Sequence, residues 1–273
     1  MPELPEVETI ASALRRGRQG IPGLVGLQIG EARVLWARSL ANLSPTEFQA
    51  RIAGQIVEAI RRRGKFLVFE LSHDVLLVHL RMSGDLLVES DTAPQASHYR
   101  LILKFENGFR LAFQDPRKFG RVWLTGEPET VLGSLGPEPL DETYTGDDFY
   151  RDLHARRRQI KPLLLDQTFL AGLGNIYADE ALHQAKIHPL KRADLLTQQK
   201  AEHLLSSIRA VLQEGIQRQG ASIDWVYRGG DFQNHFRVYR RTGLPCTECD
   251  TPIERIIVGQ RATHYCPHCQ PLV

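Results

Sequence analysis

The spacing of apolar residues changes character near residue 136. Upstream, short apolar runs alternate with turn residues at 26–36, 56–60, 66–71, 75–80, 86–89, 99–105, 110–114 and 122–125. Most are of strand length, and Asn107-Gly108 between two of them is a strong hairpin signal. Two helices interrupt the pattern. Val7, Ile10 and Leu14 recur at helical spacing over 3–16, with Glu3, Glu6 and Glu8 placed early, where the helix dipole favours acids. Ser44-Pro45-Thr46-Glu47 reads as a capping box with proline at the first helical position. Many short strands with little helix predict a β-sandwich or barrel.

Gly136-Pro137-Glu138-Pro139 reads as a linker. Beyond it, helices are predicted over 147–157 and 160–167, and a third after Gly172-Leu173-Gly174-Asn175. A long one covers 197–219, with Leu204, Leu205, Ile208, Val211, Leu212 and Ile216 on one stripe and Gly220 as its stop. Residues 221–240 lack a period, carry Gly229-Gly230 and read as a long loop, a feature often functional in compact domains. The fold class is α+β and multidomain: an N-terminal β-sandwich with its helix over 1–135, a linker over 136–146, a helical domain with the loop over 147–240, and a hairpin over 241–273.

Composition adds limits. A chain of 273 residues, 42% hydrophobic and 24% charged, is comfortable for two domains. No run approaches the roughly 18 apolar residues of a membrane span, and no basic start leads into an apolar stretch, so a cytoplasmic location is expected. Net charge is only +2, yet basic residues cluster at Arg61-Arg62-Arg63 with Lys65, at Arg156-Arg157-Arg158 with Lys161, and at Arg237, Arg240 and Arg241. Any one cluster reads as a solvated face, whereas three in a near-neutral chain suit a phosphate-binding groove.

All four cysteines lie near the end of the chain, as Cys246-x2-Cys249 and Cys266-x2-Cys269. Each pair has the spacing of a knuckle whose thiolates reach one ion, and their separation matches a four-cysteine zinc ribbon. Disulfides are disfavoured in a cytoplasmic chain. Four thiolates complete a closed, structural site, so His264 and His268 are left out, and metal binding supplies most of the hairpin's folding energy. Arg255, Arg261 and His264 lie between the pairs, a first pointer to nucleic acid. Gly172-Leu173-Gly174-Asn175 opens a helix whose free N–H groups form a ready anion site. Asn175 either caps that helix or donates to a phosphate, and Lys161 is placed to reach the same phosphate.

The chain begins Met1-Pro2-Glu3-Leu4-Pro5-Glu6-Val7-Glu8-Thr9. Initiator methionine is normally removed before proline, which leaves a secondary amine. That amine attacks an aldehyde to give an iminium ion directly, and α-amines titrate near about 7.7–8.0, so a neutral fraction exists at physiological pH. Read alone, Pro2 and Pro5 merely start a helix.

Together with His79-Leu80-Arg81-Met82-Ser83-Gly84, Asp115-Pro116-Arg117-Lys118-Phe119-Gly120, Leu135-Gly136-Pro137-Glu138-Pro139-Leu140, Gly174-Asn175-Ile176-Tyr177 and Gln260-Arg261-Ala262-Thr263, this start resembles formamidopyrimidine-DNA glycosylase from the first residue to the last cysteine. The resemblance implies a β-sandwich, a helix–two-turn–helix domain and a zinc hairpin in a monomer, with duplex DNA containing an oxidised base in the cleft between the halves. It implies Pro2 as nucleophile, Glu3 as general acid and Lys65 near the lesion phosphate. It implies Met82, Arg117 and Phe119 as the residues that fill the gap left by a flipped nucleotide. It implies backbone contacts from His98, Lys161, Asn175 and Arg261, and one zinc ion on Cys246, Cys249, Cys266 and Cys269. Residues 221–237 form the family's lesion-capping loop, without base contacts assignable residue by residue. Two rivals are an endonuclease VIII type enzyme for oxidised pyrimidines, disfavoured by Leu4 and the Met82/Arg117/Phe119 set, and a non-catalytic zinc-ribbon binding protein, which would not need Pro2-Glu3. A metal-dependent nuclease lacks a carboxylate cluster.

Overall fold

The structure, a computed structural model, describes residues 1–18, 20–222 and 229–272. It divides into two compact units, one built on Met1–Ser134 and the other on Leu135–Ala221 with Gly230–Val273.

The first unit opens with α1 (Leu4–Arg16) and contains β1 (Ile29–Val34), α2 (Pro45–Ile52), β2 (Val57–Arg63), β3 (Phe66–Leu71), β4 (Val75–His79), β5 (Asp85–Ser90), β6 (Tyr99–Phe105), β7 (Phe109–Gln114), β8 (Arg121–Thr125) and the short α3 (Glu129–Leu132). The strands form two antiparallel four-stranded sheets, in the orders β1-β6-β7-β5 and β2-β3-β4-β8. One apolar core fills the unit. Val7, Ile10 and Leu14 of α1, Phe48 and Ile52 of α2, and Phe69, Val78, Leu103, Phe113 and Val122 from both sheets belong to it. Burying each large side chain contributes about 1.5–3 kcal/mol, so the core sets the relative position of the sheets. Ser44 caps α2 as the sequence predicts: its hydroxyl accepts from the Glu47 N–H (3.3 Å) and the Glu47 carboxylate accepts from the Ser44 N–H (2.9 Å).

The second unit contains α4 (Gly146–His154), α5 (Ile160–Leu164), α6 (Asn175–Gln184), α7 (Gln198–Gln217), β9 (Glu254–Val258) and β10 (Arg261–Tyr265). The long α7 lies against α4 and α6 through its predicted stripe, with Leu204, Leu205, Ile208, Val211 and Leu212 buried. Two predicted helices are shorter than their sequence suggests. The first stops at His154, and Arg158 beyond it turns to Asp166 (2.8 Å). The second stops at Leu164, which frees the Gln167 side chain to donate to the Leu165 and Leu173 carbonyls and to accept from the Gly172 N–H. Residues 136–146 are not loose: Arg209 of α7 donates to the carbonyls of Pro139, Asp141 and Tyr144 at 2.7, 2.8 and 2.6 Å. Within the predicted loop, Phe232–His235 form a 3₁₀ turn whose Phe232 stacks on Tyr177 at 5.1 Å. Residues 223–228 of that loop lie outside the described residues.

Asp74, in the β3–β4 turn, ties α2 to its sheet by accepting from Arg51 Nε (2.9 Å) and Gln55 Nε2 (2.8 Å). The hydrogen bond from Arg51 is the main reason its carboxyl titrates below the usual carboxylate range. A depressed carboxylate stabilises the fold above its unfolded value of about 3.9 and loses that contribution as pH falls through the lower folded value. Asp74→Asn is therefore expected to lower Tm at pH 7 and to flatten the acid limb of a Tm–pH profile between pH 4 and 2. An acid limb as steep as the parent's would contradict this.

Candidate active site

Strand register gathers the predicted site at one end of the first unit. In one sheet, Arg63 lies opposite Phe66, Phe66 opposite His79, and His79 opposite Arg121. In the other, Tyr99 and Asp85 both lie opposite Gln114. The turns leaving these rows hold Lys65, residues 80–84, His98 and residues 115–120. Two of them, β4–β5 and β7–β8, are the crossings by which the chain passes from one sheet to the other.

Helix α1 points at the same end. Arg15 Nη1 donates to the Ile60 carbonyl (3.0 Å), and Glu8, a turn and a half earlier, accepts from Arg62 Nε (3.2 Å). Extending that order brings the helix start toward Arg63-Gly64-Lys65. Pro2 is buried, and Glu3, Glu6 and Lys65 are only 3%, 2% and 5% exposed. Glu6 accepts from the Glu3 N–H at 2.8 Å, which fixes the backbone beside Pro2. His79 faces Phe66 edge-on (4.7 Å), and burial, followed by the charges of Arg81 and Lys65, lowers its pKa to about 3. The ring is therefore neutral at physiological pH, and its Nδ1 accepts from the Arg81 N–H (3.0 Å), shaping the turn that carries Met82.

The proposed gap-filling residues separate by exposure. Phe119 is 51% exposed, an abnormal position for a phenylalanine whose only task is packing. The Arg117 guanidinium lies 5.1 Å from its ring centre. Met82 is half-buried on the neighbouring turn, and His98 is exposed just before β6. Lys118 adopts a left-handed backbone (φ 61°) and rests its ammonium 4.0 Å from the Trp36 ring centre.

In the second unit, the N-cap of α6 is Gly174, and Asn175 is the first helical residue, so its side chain does not cap the helix. It instead donates to the Ala262 carbonyl (3.0 Å), beside exposed Arg261 on the hairpin. Lys161 also reaches the hairpin, donating to the Ala262 carbonyl (3.1 Å) and Thr263 Oγ1 (2.6 Å). Its ammonium is fully buried and paired with Asp179 at 2.6 Å, which in turn accepts from the His264 N–H (2.9 Å). Lys161 thus sits where it positions Arg261, and reaching a phosphate itself would require the ion pair to open. The first basic cluster is likewise partly neutralised, by Glu70 on Arg61 (2.8 Å) and Glu8 on Arg62 (3.2 Å).

Gly259 (φ 54°) and Gln260 (φ 62°) both take left-handed backbone, which makes the tight turn between β9 and β10. At the hairpin base the four cysteine sulfurs lie within 4.8 Å of one another, with Cys249 3.4 Å from both Cys266 and Cys269, and Cys246 3.9 Å from Cys269. A tetrahedral zinc with bonds of about 2.3 Å needs sulfurs about 3.8 Å apart, so the donor set fits one ion. His264 is turned to Asp179, and no histidine joins the cluster among the described residues.

Family models match consecutive parts of the chain: the formamidopyrimidine-DNA glycosylase N-terminal domain at 1–122, its H2TH domain at 135–226, and a zinc finger found in FPG and IleRS at 243–272. The chain belongs to the formamidopyrimidine-DNA glycosylase family. Formamidopyrimidine-DNA glycosylase of Chloroflexus aurantiacus is 47% identical over 99% of this chain and 98% of the relative. That of Protochlamydia amoebophila is 42% identical over 99% of each. A solved structure of MutM with DNA containing carbocyclic 8-oxo-G superimposes with a TM-score of 0.90 at 38% identity, covering 99% of this chain and all of that one. The Lactococcus lactis FPG bound to FAPY-dG-containing DNA gives 0.90 at 36% identity, with the same coverage. No helix among the described residues is long and apolar enough to cross a membrane.

Sequence reasoning missed several supporting residues. Asp179 and Glu180 stand side by side in an otherwise apolar helix, and that is the signal that both need partners. Glu180, fully buried, accepts from the backbone N–H groups of Arg237, Val238 and Tyr239 at 2.8, 3.0 and 2.8 Å and so fixes the chain leaving the 221–237 loop. His183 Nε2 lies 3.4 Å from Cys246 Sγ, within reach of a bond to the thiolate. Because the hairpin has only a small apolar cluster of its own, around Val238 and Ile253, zinc chelation is expected to strip hydrogen-exchange protection from β9 and β10 and to weaken duplex binding at least about tenfold. Unchanged protection after complete zinc removal would contradict a structural role for the ion.

Proposed function

We propose that the protein excises oxidised purines from duplex DNA and then cuts the strand at the resulting abasic site, with Pro2 as nucleophile. The observation that carries this reading is the meeting, at one end of the first unit, of the buried Pro2-Glu3 start with an exposed cation-and-phenyl pair on a neighbouring turn. A wedge has use only if a nucleotide leaves the stack, and a buried amine has use only if that nucleotide comes to it.

In this scheme Met1 is removed and the Pro2 nitrogen attacks C1′ of the extruded nucleotide, displacing the base. Glu3 protonates the ring oxygen as the sugar opens. The iminium ion formed between Pro2 and C1′ accepts the electron pair released by loss of the C2′ proton, so the 3′ phosphate leaves and the 5′ phosphate follows in a second elimination. Lys65 supplies positive charge beside the lesion phosphate. Met82 and Phe119 fill the vacated stack, and Arg117 hydrogen-bonds the orphaned cytosine. Asn175 and Arg261 grip backbone phosphates, Lys161 holds the hairpin in place for them, and His98 adds a backbone contact. Zinc holds the hairpin's shape and takes no part in the reaction. The DNA substrate and the bacterial relatives support a cytoplasmic site of action.

The test is strand cleavage of a duplex with 8-oxoguanine opposite cytosine beside one containing thymine glycol. Cleavage of the first is expected to dominate. Glu3→Gln is expected to slow base release at least about 100-fold while sparing cleavage of a preformed abasic site, whose sugar is already able to open. Preference for thymine glycol would move the protein to the pyrimidine class, and equal base release by Glu3→Gln would remove Glu3 from the chemistry.

A further inference from the structure

The two crossings between the sheets share one buried carboxylate. Asp115, 1% exposed, is the first residue of the β7–β8 crossing that carries Arg117 and Phe119. Its Oδ1 accepts from Ser83 Oγ at 2.5 Å and from the Arg117 N–H at 3.2 Å, and its Oδ2 accepts from the Gly120 N–H at 2.7 Å. Ser83 lies next to Met82 on the other crossing, is itself 7% exposed, and its Oγ also accepts from the Arg117 N–H at 3.2 Å. The backbone of Asp115 reaches a third segment: its N–H donates to the His98 carbonyl (2.9 Å) and its carbonyl accepts from Arg100 Nε (2.8 Å). Beneath both crossings lies one aromatic ring. A Cβ at Gly84 would sit 2.9 Å from Phe113 Cε2 and a Cβ at Gly120 2.3 Å from Phe113 Cζ, so both turns rest on that ring and neither admits a side chain there.

We propose that Asp115, through Ser83, is a positioning residue that couples the Met82 turn to the Arg117–Phe119 turn, so that the two wedges enter the duplex as one rigid unit. The proposal rests on the assignment of those three residues to gap filling. Two independently mobile turns would each have to be ordered on entering the stack, whereas a preorganised pair avoids that cost. The carboxylate suits this task because it is acceptor-only: every neighbour it gathers is a donor, and an amide in its place would turn an N–H₂ toward one of them. Registration of the wedges also sets where the Arg117 guanidinium meets the opposite base, so Asp115 becomes a determinant of cytosine preference without touching DNA.

The experiment is a double-mutant cycle on the full chain with Ser83→Ala, Asp115→Asn and both together. Each protein is assayed on a duplex with 8-oxoguanine opposite cytosine, on the same lesion opposite adenine, and on a single-stranded oligonucleotide with an abasic site. The last has no partner strand and no gap to fill, so it reports folding and chemistry alone. Each single change is expected to lower kcat/KM on the cytosine duplex about 10- to 100-fold. The double change should be no worse than the poorer single one. The preference for cytosine over adenine should shrink, and single-strand cleavage should stay within about twofold of the parent. Unchanged duplex activity in both single variants, penalties that multiply, or a parallel loss on the single strand would each overturn the coupling. A parent protein that cleaves none of the three substrates would overturn the glycosylase–lyase reading itself and the coupling with it.

Discussion

The proposed nucleophile stands at the end of a chain, where it has one covalent neighbour instead of two, so packing must hold it. Helix α1 supplies that constraint. Leu4, Val7 and Ala11 are completely buried and Ile10 and Leu14 nearly so, which gives the helix one apolar face against the sheets. Arg15 and Glu8 then fix its direction by their bonds to Ile60 and Arg62. With the face and the direction set, the position of Pro2 and Glu3 follows. A cavity made at Val7 or Leu4 would loosen the amine before it loosened the sheets, and so would reach the chemistry through geometry.

The same end of the unit collects the rest because antiparallel register leaves little choice. Once β3, β4 and β8 pair as they do, the turns beginning beyond His79 and ending before Arg121 lie side by side. The other sheet brings Gln114 opposite both Tyr99 and Asp85. The two crossings therefore share a rim without being close in sequence. The second unit repeats the principle with charge: Lys161, Asp179 and Asn175 lock the hairpin so that exposed Arg261 projects from a fixed backbone.

Local signals were readable in the sequence where neighbours along the chain decide the outcome. Strands Phe66–Leu71 and Tyr99–Phe105, the Ser44 capping box and the two cysteine pairs are of this kind. Helix ends were not, because their stops depend on distant partners: Arg158 leaves the helical path for Asp166, and Gln167 for the Gly172 turn. Asn175 looked like a cap because asparagine commonly is one, but Gly174 takes that position and the hairpin carbonyl takes the amide. Lys161 looked exposed because lysine usually is, and its burial rests on a carboxylate in another helix. Asp115 stood inside a quoted motif, yet its connection to Ser83 exists only through the fold.

The most direct test of the central claim is borohydride reduction of the untagged protein turning over a duplex with one 8-oxoguanine opposite cytosine, followed by mass mapping of the adduct. A reduced sugar adduct on the nitrogen of Pro2, in chains that have lost Met1, is the expected result. An adduct on a lysine such as Lys65, or strand cleavage with no covalent adduct at all, would contradict it.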